Sequence, residues 1–196
     1  MPSWITKPSF AAKRSVFAVC LGFALLSMTP GSAKATLADA LTMGELVQRA
    51  DRIALVRVLS QATEYDSRGR IVTRVRVRVE EGLLAANAGD ELDVVSLGGI
   101  IGDLGMQIAG EPSFEDGERA LVFVRHINGI YRPIGMSQGV FPVTDGDTPR
   151  VEPGGSGLSL VRPGTNGELA PAGAALRGPR SLAHVMERVR ALIAER

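Results

Sequence analysis

The stretch RIVTRVRVRVEEG, residues 70–82, alternates so strictly that it reads as a β-strand with one core face and one wet face. Ile71, Thr73, Val75, Val77 and Val79 share the first face. Val72, Arg74, Arg76, Arg78 and Glu80 share the second. Residues two apart on a strand stand about 6.6 Å apart, so the three arginines form a line about 13 Å long. The fold must supply that line with partners. The next strand candidate, DELDVVSL at 90–97, carries Glu91 and Asp93 at the same period. Sequential strands usually pair, which sets these carboxylates opposite the guanidiniums as a cross-strand ladder. Glu64 and Asp66 can flank the ladder from the other side. Two other readings stand beside this stronger one: contact with a protein or anionic glycan, and contact with nucleic acid. The last needs interleaved aromatic rings for base stacking, and no aromatic residue falls on the arginine face.

The start of the chain has a different character. Lys7, Lys13 and Arg14 precede an apolar run from Val16 to Met28, then Pro30-Gly31 and Ala33-Lys34-Ala35. A basic region, an apolar region and a small-x-small site in that order predict a secretory signal peptide cleaved after Ala35. The apolar run is shorter than the roughly 20 residues a bilayer-spanning helix needs, so no stable membrane span is expected after cleavage. Cys20 sits in a poor lipoprotein context, since Phe17-Ala18-Val19 precede it and the apolar run continues after it. The predicted location is periplasmic or extracellular.

Removing the leader changes the electrostatics. The intact chain carries a formal charge of +1, but residues 36–196 hold 18 basic and 21 acidic side chains, a charge of −3. A mildly acidic chain has no global field that attracts nucleic acid. The only cysteine and the only tryptophan leave with the leader, so no disulfide, thiol nucleophile or thiolate metal site is expected.

Along the mature chain, Leu41-Thr42-Met43-Gly44-Glu45-Leu46 opens a short helix ending near Ala50-Asp51. Thr42 and Glu45 form a capping box, with Leu41 and Leu46 as its staple. Strands are expected at 53–60, 71–80, 90–97 and 120–127, with shorter ones near Tyr131–Met136 and Val140–Thr144. Gln61–Gly69 reads as a loop. No helix of crossover length lies between the strands, which argues against a parallel α/β sheet. The expected fold is an all-β core over 36–144, a small antiparallel and partly open barrel of the oligonucleotide/oligosaccharide-binding (OB) type. Residues 145–180 are rich in Gly and Pro and read as loop or linker, with one possible strand at Gly157–Val161. Ser181 then caps a C-terminal amphipathic helix over 181–196, with Leu182, Val185, Met186, Val189, Leu192 and Ile193 on one stripe. Packing of that stripe onto the core is the leading reading, with a partner or membrane surface as the alternative.

The least ordinary connection is GGIIGDLGMQIAGEPSFEDGE, residues 98–118. Its glycines sit among Ile100, Ile101, Leu104, Met106 and Ile108. Such a loop either tucks its apolar side chains against the core or offers them to a partner. Ile100, Ile101, Leu104 and Met106, with Arg74, Arg76 and Arg78 on the adjacent strand, form the candidate binding surface.

Gly135-Met136-Ser137-Gln138-Gly139 fits the G-x-S-x-G pattern of a hydrolase nucleophile elbow, with Asp145 or Asp147 and then His184 downstream. That chemistry requires a strand–elbow–helix turn and a base held by an orienting carboxylate. Here a strand-like Val140-Phe141-Pro142-Val143 follows, and a hairpin turn is the better reading. A serine hydrolase using Ser137 is the alternative function. His126 and His184 have no metal-binding spacing, and Asp145-Gly146-Asp147 is at best a weak calcium contact. Glu80 and Glu81 point to opposite faces and make a poor acid/base pair. No P-loop or dinucleotide fingerprint is present, and no cofactor or metal site is expected.

The run from Leu46 through Val143 carries L-V-x-x-A-D, then V-E-E-G-L-L, G-D-E-L-D-V, G-G-I-I-G, G-E-P-S-F and G-E-R-A-L-V-F-V. It resembles a set of uncharacterised exported β-domain proteins from environmental bacteria. That resemblance implies a β-domain and no chemistry. More distantly, the strand order resembles the netrin-like barrel of metalloproteinase inhibitors. Those act through an N-terminal cysteine, which the mature chain does not have, so an inhibitory role here requires another contact. The leading expectation is a non-catalytic exported domain that binds a protein or cell-envelope component.

Overall fold

The computed structural model describes residues 36–196; the signal peptide expected over 1–35 lies outside the described residues. The chain opens with β1 (Thr36–Asp39) and α1 (Met43–Arg49). The capping box forms as expected. The Thr42 hydroxyl accepts the Glu45 N–H at 3.2 Å, and the Thr42 N–H donates to Glu45 Oε2 at 2.7 Å. Leu41 and Leu46 both join the buried cluster beneath the helix.

Two long strands follow, β2 (Arg52–Tyr65) and β3 (Ile71–Leu84), paired from Ile53↔Leu84 out to Tyr65↔Ile71. The loop expected from Gln61 is therefore strand as far as Tyr65. The reason lies in the turn. Asp66 Oδ1 accepts the N–H groups of Arg68 and Arg70, each at 2.9 Å, and Oδ2 accepts Arg70 Nε at 2.8 Å. This closed Asx-type turn lets the two strands pair right up to it.

The remaining strands are β4 (Glu91–Leu97), β5 (Gly99–Ile101), β6 (Leu104–Met106), β7 (Arg119–Ile127), β8 (Ile130–Pro133), β9 (Val140–Val143), β10 (Arg150–Val151), β11 (Leu158–Pro163), β12 (Leu169–Pro171) and β13 (Arg180–Ser181). A 3-10 turn at Met136–Gly139 precedes β9, and α2 (Leu182–Ala194) ends the fold. The main sheet has eight strands in the order β13-β10-β9-β7-β2-β3-β4-β8. Beside it stand a three-stranded sheet, β1-β11-β12, and the ribbon β5-β6.

The expected small antiparallel barrel is corrected in two respects. The sheets are mixed, since β4 runs parallel to β8 and β1 parallel to β11. The main sheet is also not closed into a barrel, and an OB-like identity does not follow. One edge of β7 is divided between β9, along Arg119–Val122, and β8, along Val124–Ile127. The sheet therefore runs on through β9 and β10 to an open end at β13. Although β8 curls round towards β4, a single residue pair, Val94↔Tyr131, joins them.

Around β2 and β7 the sheet is buried on both faces, which explains the continuous apolar run at 53–56. Ile53 and Leu55 of β2, with Leu121 and Phe123 of β7, belong to the cluster under the two helices. Phe123 meets Phe141 edge to face at 5.6 Å. Ala54, Val56, Val58, Val122 and Val124 alternate to the opposite cluster with Val75, Val77, Val79, Leu92 and Val94. The helix α2 buries Val185, Met186 and Val189 against the first cluster. Ser181 occupies its N-cap position without a side-chain cap bond, and the Leu182 N–H donates instead to the Pro149 carbonyl at 3.0 Å. The Gly/Pro-rich segment 145–180 carries β10, β11 and β12, and packs Ala175 and Leu176 beside the same cluster.

Candidate functional site

The connection 98–118 leaves β4 by crossing the outer end of the β2–β3 hairpin, and its first two glycines make that crossing possible. Gly98 and Gly99 adopt φ of 103° and 136°. A Cβ on Gly99 would sit 2.5 Å from Thr63 Cγ2 and 2.7 Å from Thr73 Oγ1. No side chain fits there without displacing the Thr63 and Thr73 side chains beneath. Thr73 Oγ1 donates to the Gly98 carbonyl at 2.8 Å, and Gly98 N–H donates to the Ile71 carbonyl at 2.9 Å.

From this footing β5 and β6 rise as a two-stranded ribbon paired Gly99↔Met106, Ile100↔Gly105 and Ile101↔Leu104. Register decides which side chains share a face. Ile101, Leu104 and Met106 lie on the face that Gly99 turns to Thr63 and Thr73. Ile100 lies on the other, opposite Gly105. Ile100 is 72% exposed and Leu104 is 63% exposed, while Ile101 and Met106 are half-buried. The four candidate residues are thus brought together on one ribbon, but on two faces of it.

The second half of the connection behaves oppositely. Phe114 is buried in the core cluster that holds Val75, Val77 and Val94, and its carbonyl accepts Gln61 Nε2 at 3.1 Å. The Glu111 side chain is 7% exposed. It accepts the Leu97 N–H at 3.0 Å on one oxygen and Arg132 Nη2 at 2.9 Å on the other. Gly110 passes so close to β11 that a Cβ there would meet Leu158 Cδ2 at 2.1 Å.

The three arginines of β3 face carboxylates. Arg78 Nη2 lies 2.8 Å from Glu91, Arg76 Nε 3.3 Å from Asp93, and Arg74 Nη2 2.6 Å from Glu64. The pairs Arg76↔Asp93 and Arg78↔Glu91 are directly opposite in register. Asp66 does not join this ladder, because Arg70 and the turn amides occupy it. Those amides and the Arg70 guanidinium hold the Asp66 carboxyl below its usual range, the Arg70 N–H foremost.

The other candidates disperse. Gly135–Gly139 forms the turn between β8 and β9, with Gly135 at φ 61° and Met136 at φ 62°. Ser137 is 5% exposed, and its hydroxyl donates to the Ser156 carbonyl at 2.9 Å. Asp145 pairs with Arg119 at 3.2 Å. Burial opposes the charge on Arg119, but Glu80 and Asp145 around it hold its guanidinium above the usual range. His184 is exposed on the first turn of α2, and the His126 ring stacks beside Tyr131 with centroids 5.0 Å apart. Glu80 binds Arg57 and Arg119, whereas Glu81 binds Arg190. Among the described residues no three His, Cys, Asp or Glu side chains gather in a metal-binding group.

Comparison with protein-family models, curated proteins and solved structures finds no match. What remains is geometry. Among the described residues, no helix is long and apolar enough to cross a membrane. Sequence reasoning missed Gln138 altogether. It is buried in the turn, where its Oε1 accepts the Leu41 N–H at 2.9 Å and its Nε2 donates to the Asp39 carbonyl at 3.0 Å. It clasps the segment between β1 and α1 to the sheet. A glutamine in a glycine-flanked turn carries no sequence signal for that role.

Proposed function

We propose that the protein is a non-catalytic exported domain that binds a protein or cell-envelope component through the β5–β6 ribbon. One observation carries this reading: Ile100 and Leu104 stand in solvent on a ribbon whose base is fixed by Gly98, Gly99 and Glu111. Apolar side chains on a rooted ribbon lose little conformational freedom on docking, so their burial converts efficiently into affinity. Arg74, Arg76 and Arg78 stand on the face of β3 opposite Thr73, on which the ribbon is seated, and face Glu64, Asp93 and Glu91, so they lie outside this surface. The signal-peptide pattern at the start of the chain supports an encounter outside the cytoplasm, in periplasm or medium.

Photocrosslinking tests the reading. A diazirine residue at position 100 or 104 is expected to capture one discrete partner in the native envelope or culture fluid. The same probe at Leu169, also 59% exposed but on β12, is expected not to. Replacing Ile100 and Leu104 together by Ser should abolish capture from a probe at position 106. Equal capture from positions 100 and 169, or capture that survives the double replacement in a folded protein, defeats the proposal.

A further inference from the structure

Every Lys or Arg side chain from residue 36 onward is an arginine, eighteen in all. Nine of them form ion pairs among the described residues. Three without a carboxylate partner among the described residues, Arg177, Arg180 and Arg188, line the same hollow, about 850 Å³ in volume, between α2, the 172–177 segment and the approach to α1. Thr42, Arg162 and His184 complete its polar lining. No Asp or Glu lines it. Glu45, the carboxylate paired with Arg162, is also bound through Thr42. Leu41, Met43, Leu176, Val185 and Leu192 supply an apolar wall continuous with the core beneath the helices.

We propose that this hollow is a binding site for a small amphiphilic anion, whose phosphate or carboxylate sits among Arg177, Arg180 and Arg188 while its apolar part lies along Leu41, Met43 and Leu192. The volume falls within the range of small-molecule sites, roughly 300–1,000 Å³. Guanidinium is the side-chain group best matched to an oxyanion, because its planar donors engage two oxygens at once. Six other arginines, Arg49, Arg52, Arg68, Arg125, Arg150 and Arg196, also have no carboxylate partner among the described residues, but none of them lines this hollow. Three without one around a single concavity repel one another and create a local positive potential, which an entering anion relieves. Concavity separates this site from the β5–β6 ribbon: a ribbon offers its side chains to a surface, whereas this open hollow receives a molecule between its walls.

The test is titration calorimetry on the purified protein. Octyl phosphate, kept below its micellar concentration, is the probe, and inorganic phosphate and octyl glucoside stand for its two halves. Octyl phosphate is expected to bind with one-to-one stoichiometry and more tightly than either half. Replacing Arg177, Arg180 and Arg188 by Gln should weaken it about tenfold or more, the effect of losing charge-assisted hydrogen bonds. Arg68→Gln with Arg125→Gln removes two exposed charges elsewhere and should change nothing. Thermal melts and circular dichroism establish that the variants fold, and Arg188→Gln alone, on an exposed helix position, supplies a milder version. Wild-type affinity in a folded triple variant overturns the site. So does equal weakening by Arg68→Gln with Arg125→Gln, which would mean diffuse surface charge. Octyl glucoside binding as tightly as octyl phosphate removes the anion from the proposal. Inorganic phosphate binding as tightly as octyl phosphate removes the apolar wall. No detectable octyl phosphate binding overturns the whole.

Discussion

Residues 99–106 and 107–118 belong to one connection, the first half glycine-rich and apolar and the second carrying four acidic side chains, and the structure treats them as opposites. The first half projects as the ribbon β5–β6 with Ile100 and Leu104 in solvent. The second half is drawn into the fold by Phe114 and Glu111. The difference lies in what each half can bond to. Glu111 finds a backbone donor at the end of β4 and a guanidinium on β8, and Phe114 finds an apolar hole between strands. The ribbon satisfies its own backbone internally, so nothing compels it to lie down. Its side chains can then be selected for something other than stability.

The largest expected effects come from the tucked half. Phe114→Ala should cost about 3–5 kcal/mol, the range for emptying an aromatic position in a core. Glu111→Ala should cost about 3 kcal/mol, because it leaves the Leu97 N–H and the Arg132 guanidinium without their partner in a partly buried place. For a domain of this size either loss lowers the melting temperature by roughly 10 °C. Glu111→Gln separates the two contributions. It keeps an acceptor for the Leu97 N–H and removes the charge facing Arg132, so it should fall between Glu111→Ala and the wild type. A Glu111→Ala protein that melts with the wild type would mean the second half is not held by this carboxylate.

Next comes the junction between the halves and the sheet. Gly99→Ala introduces a methyl group within 3 Å of both Thr63 and Thr73 at a positive φ. It should cost about 1–3 kcal/mol through strain and displacement. The more telling readout is position. Crosslinking from residue 104 should drop along with stability, whereas in Thr73→Val, which deletes the bond to the Gly98 carbonyl, the ribbon should loosen while the core strands keep their hydrogen-exchange protection. Unchanged exchange at the ribbon amides in both variants would contradict a rooted ribbon.

These contrasts also define how much could be read from the sequence. Strict alternation at 71–79 located β3 and the ladder of Arg76 and Arg78 against Asp93 and Glu91, because side-chain period and nearest-strand pairing are local rules. The capping box at Thr42 and Glu45 was legible for the same reason. The long reach of β2 was not, since Gln61–Tyr65 has mixed polarity and is held as strand by a turn whose strength comes from one aspartate. The sheet's width was also hidden. Whether β7 pairs with β8, β9 or both along one edge depends on contacts far apart in sequence, and no alternation pattern encodes it. The hollow beside α2 draws on residues 41–44, 162 and 172–192, which only the closed chain brings together.

For the ribbon itself the expected stability change is near zero. Ile100→Ser and Leu104→Ser remove side chains that touch little, and exposed substitutions of this kind stay within about 0.5 kcal/mol. That is the sharpest form of the comparison: the same class of apolar residue, twelve or so positions apart, with a large thermal effect at Phe114 and none at Ile100 or Leu104. A destabilisation above about 1 kcal/mol from the double Ser variant would show the ribbon packed against the fold in solution. Arg76→Gln and Arg78→Gln should likewise each cost under about 1 kcal/mol, and less in high salt, as exposed ion pairs do.

The smallest effect belongs to the turn that carries the platform under the ribbon. The Asp66 carboxyl is held below its usual range first by the Arg70 N–H, then by the Arg70 guanidinium. A depressed folded-state pKa means its contribution is fully present above the ordinary unfolded value and is lost as pH falls through the lower folded one. Asp66→Asn keeps an oxygen for the turn amides and removes the charge facing Arg70, so it isolates the ionic part. The variant should melt slightly below the wild type at neutral pH, and the gap should close as the solution is acidified below the usual aspartate range. A gap that persists in acid would mean that the carboxylate charge is irrelevant and that geometry alone closes the turn. In that case the platform under Gly98 and Gly99 would owe its order to strand pairing from Thr63 to Tyr65 rather than to the aspartate at its tip.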